Sequence, residues 1–158
     1  MPPSLDPAPP TGFVLDRDSH TIRFRRLLSA RPAEVFAAWT DPDQLACWWD
    51  AAGETLARCE IDLVPGGRFL FVSRAHPDHP FAGTYREISP PGRLTFEALG
   101  AEGRVLLAAT PEGGTDMVVE IACASAEQLE QFAAMGVAAG TSQTLDNLAR
   151  HLERAPAG

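Results

Sequence analysis

Few residues in this chain have the type and spacing to do chemistry. "HPDH" brings His76, Asp78 and His79 together, and His with a carboxylate is a sensible start to a zinc site. Pro77 and Pro80 constrain that stretch, and His20 and His151 are the other histidines. No distant His–Cys set completes a site, so the stretch reads as a solvated hairpin loop, with a contact at a ligand's rim as its other use, and no metal is expected. An inward carboxylate with a raised pKa would be a general base. Glu97 and Glu120 alternate with apolar neighbours and read as outward. Arg58, Glu60, Asp62 and Arg68 read as an exposed strand face of mixed charge. No G-x-S-x-G, Walker loop, H-E-x-x-H or dinucleotide fingerprint occurs. "PGGRF" is followed by a strand pattern, which argues against a phosphate cradle. No set of residues compels catalysis, so no catalytic residue and no cofactor are assigned.

The denser signal is aromatic. All three tryptophans, Trp39, Trp48 and Trp49, fall in one short stretch around "DPDQLACWWD". They either pin short helices to a sheet or line the mouth of an apolar cavity. Successive residues on a helix point about 100° apart, so one of Trp48 and Trp49 is expected at a cavity and the other in the core or at the surface. Phe69 with Phe71, and Phe81 with Tyr85, share faces by alternation. With Phe96 they form either core or the wall of a pocket in which a few polar groups orient the ligand. Met117, Gly136, Gly140 and Thr144 complete the candidate ligand-binding set.

These side chains need a frame. A chain of 158 residues is expected to form one domain, and 45% apolar content is ordinary for a globular protein. The net charge of −8 argues against nucleic acid and against an anionic membrane surface. No stretch approaches the roughly 18 apolar residues of a membrane span. Cys47, Cys59 and Cys123 are odd in number and widely spaced, which fits reduced thiols and a cytoplasmic protein. The Pro-rich start lacks the basic and apolar regions of a signal peptide. Residues 1–18 are expected to be a loosely attached arm, and 19–155 the domain.

The expected order begins with a strand in "HTIRFRRLL", with Ile22, Phe24 and Arg26 on one side. Pro32 opens a first short helix and Asp41–Pro42 a second, with Gln44 reaching back as in a capping box. Strands follow in "TLARCEIDL", "RFLFVSR", "FAGTYREI", "RLTFEAL", "RVLLAAT" and "TDMVVEIAC". "GAEG" is the turn before "RVLLAAT". Short turns require antiparallel pairing. Ser125 and Gln128 cap a closing helix that Gly136 kinks or breaks. The fold class is therefore α+β: a curved antiparallel sheet of about six to seven strands, two short helices after the first strand, and a long C-terminal helix across the sheet. One helix about 10–12 Å across leaves space over a broad concave face.

The stretches "RPAEVFAAWTDPDQLACWW", "CEIDLVPGGRFLF", "GTYREISPPGRLTF" and "MGVAAGTSQTLDNLARHL" resemble the SRPBCC (START-like, birch-pollen-allergen-like) helix-grip superfamily. Within it, they resemble the group related to the C-terminal domain of the activator of heat-shock protein 90 ATPase. The resemblance spans roughly residues 20–154 and implies a helix-grip fold with an apolar internal pocket. That group often carries a bulky aromatic after the second glycine of the last helix, where this chain has Thr141. The expected function is non-catalytic binding of a small hydrophobic or amphipathic molecule between sheet and helix. By analogy, the alternatives are a chaperone-related or stress-response interaction module and a cyclase- or hydrolase-like enzyme using the same pocket. A homodimer through a sheet edge or the grip face is compatible with the pattern.

Overall fold

A computed structural model describes residues 13–154. Strand β2 (Thr21–Leu28) opens the core of the sheet. Its alternation buries Ile22, Phe24 and Arg26 on one face. Helices α1 (Pro32–Thr40) and α2 (Pro42–Trp48) follow. Each begins at a proline, where the missing N–H is no loss. Asp41 ends α1 and caps α2, accepting from the Asp43 N–H at 3.0 Å. Gln44 reaches back to the Asp41 carboxylate at 3.4 Å.

The remaining strands are β3 (Arg58–Ile61), β4 (Arg68–Val72), β5 (Phe81–Ser89), β6 (Arg93–Ala98), β7 (Ala101–Ala109) and β8 (Thr115–Ala122). With β2 they form one antiparallel sheet, and a further strand, β1 (Phe13–Asp16), adds an edge. The spatial order is β1-β2-β8-β7-β6-β5-β4-β3. The sheet is curved and open. A bulge between Tyr85 and Glu87 shifts the β5–β6 register, and bulges bend and twist the strand that carries them.

Helix α3 (Ala126–Ala134) starts at Ser125, whose hydroxyl accepts from the Gln128 N–H at 3.1 Å. Helix α4 (Val137–Arg154) then packs across the sheet. Arg26 reaches it through Ser142 Oγ at 2.8 Å, the Ser142 carbonyl at 3.1 Å and Asp146 Oδ1 at 3.2 Å.

Three expectations need correction. Residues 13–16 are not arm: Phe13, pairing with Phe24, begins a short edge strand, and Phe13 and Phe24 pack ring to ring at 6.0 Å. The rest of the expected arm, and residues 155–158, lie outside the described residues. The sheet thus has eight strands rather than six or seven. The turn before β7 is Leu99–Gly100, not "GAEG", because Ala98 pairs with Ala101 and both turn residues have positive φ. Third, the strand read over "TLARCEIDL" is confined to Arg58–Ile61. Leu56 is buried outside the strand, where alternation does not bind it. Gly136 does break the closing helix. Its φ of +79° is left-handed, so α3 and α4 are separate elements.

Candidate ligand-binding site

Between the concave face and α4 lies a cavity of about 460 Å³. That is within the roughly 300–1,000 Å³ range of small-molecule sites. The sheet supplies Phe71, Phe81, Phe96, Ala98, Gly103, Val119 and Ile121. Helix α4 supplies Val137, Gly140, Thr141, Thr144 and Leu145. The wall is therefore mostly apolar. Gly103 has a steric reason: a Cβ there would overlap the Phe96 ring that lies over it. At Gly140 the reverse holds, since an added Cβ would meet nothing within 4 Å. The helix faces open space at that point.

The two short helices close one end. Trp48 is completely buried, and its indole N–H donates to the Ala38 carbonyl at 3.1 Å. Trp39 packs edge-on against it with centroids 4.9 Å apart. Trp49, one residue on, turns to the cavity and packs against Phe71 at 4.9 Å and Phe81 at 5.2 Å. The backbone after α2 is held from α4. Thr144 Oγ1 donates to the Trp49 carbonyl at 3.1 Å, and Asn147 Nδ2 donates to the Asp50 carbonyl at 2.9 Å.

Of the candidate wall residues, Trp49, Phe71, Phe81, Phe96, Gly140 and Thr144 line the cavity. Trp48 and Met117 are wholly buried away from it. Phe69 and Tyr85 lie behind the wall, where Phe69 stacks on Phe71 at 5.0 Å. Burial pushes the Tyr85 phenol well above its ordinary value, with the nearby Cys59 adding to the effect. Gly136 shapes the α3–α4 junction instead of the wall.

Several lining residues carried no sequence assignment to the wall: Asp50, Ser73, Leu99, Phe132 and Val137. Alternation does put Ser73 on the face of Phe69 and Phe71, and helical spacing puts Val137 in one stripe with Thr141 and Thr144, but neither says which members of a face reach the cavity. Asp50 sits just past a helix end, where no periodic rule applies. His76 and His79 form an exposed part of the rim. Among the described residues no three His, Cys, Asp or Glu side chains converge as metal ligands. All three cysteines are free.

An antiparallel sheet gripping one long helix over an apolar cavity defines a helix-grip protein. The chain belongs to the family described as activator of Hsp90 ATPase homolog 1-like protein, whose model matches residues 29–153, and so to the SRPBCC superfamily. Among solved structures, an AHSA1-like protein from Aeromonas hydrophila is similar at 29% identity and a TM-score of 0.70, covering 84% of this chain and 92% of that one. A protein from Nitrosomonas europaea shares the fold at 22% identity and a TM-score of 0.76, with 85% and 94% covered. One from Arthrobacter aurescens does so at 21% identity and a TM-score of 0.76, with 93% and 94% covered. No curated protein gives a significant match. No helix among the described residues is long and apolar enough to cross a membrane.

Proposed function

We propose that this protein binds a small hydrophobic or amphipathic molecule in the cavity between its sheet and α4. The observation that carries the reading is the open space at Gly140, inside a helix that otherwise packs on the core. Glycine in a helix interior costs about 1 kcal/mol relative to alanine. Here it preserves volume beside aromatic walls instead of permitting close packing. Binding would bury the exposed faces of Trp49 and Phe81 against the ligand, which is favourable in proportion to the apolar area removed from water.

The test is a thermal-shift screen of apolar and amphipathic metabolites on the wild type and on Gly140→Phe. A ligand at 100 times its dissociation constant adds about 2.7 kcal/mol, or on the order of 5 °C for a domain of this size. The expected result is a shift in the wild type that disappears in the cavity-filling variant. An equal shift in both would place binding elsewhere. No shift with any compound would turn attention to a chaperone or other protein partner, to be sought by pull-down.

A further inference from the structure

All 13 permanently cationic side chains are arginines, and none lines the cavity among the described residues. The charged residues that do are Asp50, Glu102 and Glu120. Alternation gives Glu102 and Glu120 to the outer face of β7 and β8, opposite buried Gly103 and Val119. Glu120 is held there by Arg23 at 2.8 Å and Arg104 at 3.3 Å. Asp50 differs. Its Oδ1 accepts from the Ala52 N–H at 3.2 Å, while its Oδ2 is buried with no hydrogen-bond partner. Among the described residues no ion pair reaches it.

A carboxylate oxygen without a donor is costly, and a charged donor offsets that cost best; Oδ2 has almost no accessible surface, so a ligand's donor meets it only when the Asp50 side chain turns toward the cavity. The neighbouring walls have the matching chemistry. Trp49, the residue before Asp50, packs on Phe71 and Phe81, and all four line the cavity; ring faces attract cations through their quadrupole. A carboxylate or phosphate head would find no fixed cation on the wall and one uncompensated carboxylate.

We infer that the cavity selects amphipathic ligands bearing an amine, with Asp50 as the anionic anchor and the aromatic wall around Trp49 as the second contact to the ammonium. This rests on the cavity-binding reading above. The apolar body then fills the space beside Gly140, and the head lies at the end closed by α2.

Decylamine, decanol and decanoate share one apolar body and differ only in the head. Their affinities are measured by tryptophan fluorescence for the wild type and Asp50→Asn, at about pH 8, above the ordinary imidazole value of about 6.5. Asparagine keeps the Oδ1 acceptor for Ala52, and a melting curve verifies that the variant is folded. In the wild type the amine is expected to bind at least about tenfold more tightly than decanoate. In Asp50→Asn that ratio is expected to collapse to about twofold, with decanol unchanged. Decanoate binding as tightly as decylamine, or a ratio indifferent to Asp50→Asn, would overturn the inference while decanol binding keeps the cavity reading intact. If none of the three binds a folded protein, both the inference and that reading fall.

Discussion

Arg26 is a charge in the core, with only 4% of its side chain exposed. Strand alternation puts it on one side with Ile22 and Phe24, but nothing local says that a guanidinium on that side is buried. Its partners are not legible either, because Asp146 and Ser142 lie more than a hundred residues away on α4. A buried guanidinium is tolerated when carbonyls, a hydroxyl and a carboxylate satisfy it. Arg26→Ala leaves those acceptors facing a void and should destabilise by about 3 kcal/mol. Arg26→Met keeps the volume and should cost less, about 1–2 kcal/mol. Urea unfolding of both variants measures the difference; two wild-type midpoints would show that the contacts to α4 contribute nothing. The thiols offer a second check. Burial, with Asp43 and Asp41 adding, pushes Cys59 up to about 11, and burial also raises Cys123. Cys47 is exposed. A thiol reagent near neutral pH should label Cys47 first, with Cys59 and Cys123 at least about tenfold slower, because only the thiolate reacts. Equal rates, read by peptide mass mapping, would contradict this ordering.

At the scale of elements, two glycines four residues apart have opposite requirements. Gly136 has φ +79°, which a side chain resists, although nothing crowds a Cβ there. Gly140 lies within α4, and a Cβ there meets only open space. Gly136→Ala should therefore destabilise by about 1 kcal/mol. Gly140→Ala should stabilise by about 0.5–1 kcal/mol by restricting the unfolded chain. Melting temperatures moving in the same direction would defeat the argument. The sequence marks Gly136 as the kink or break, but helical spacing alone does not say that the space beside Gly140 is open. Most other elements were readable because short turns and period-two alternation leave little choice of pairing. What escaped was β1, four residues beside a proline-rich start whose exposed Phe13 and Val14 show no buried face. The cavity wall was legible only as faces. Alternation puts Met117 and Val119 on the same side of β8, but not which of them reaches the cavity. That depends on how far along the strand α4 crosses, a tertiary fact with no local signature.

For the whole molecule, acid stability follows from how its carboxylates are used. Asp116 accepts twin hydrogen bonds from Arg25, at 2.9 and 2.8 Å, which hold its carboxyl below the ordinary value. Arg17 lowers Glu130 in the same way. Asp16 is lowered chiefly by hydrogen bonds from Ser19, and Glu87 chiefly by Ser89 and then by Arg93. In each case the folded protein holds the proton less tightly than the unfolded chain does. The stability these groups contribute is fully present above the unfolded carboxyl values, about 3.9 for Asp and 4.3 for Glu. It is lost as the pH falls through the lower folded values. The net charge of −8 works in the other direction: mild acidification first relieves repulsion among carboxylates that lack an arginine. A plateau is therefore expected from neutral pH toward about 5, with a steep loss below about 4. Asp116→Asn separates the paired contribution from the general one. At neutral pH the variant lacks the ion pair across β2 and β8 and should be about 1 kcal/mol less stable, since the pair is only partly exposed. As the wild-type Asp116 protonates, that deficit should shrink, and the two melting curves should converge in acid. A gap that stayed constant from neutral pH to about 3 would show that Asp116 contributes shape and not charge.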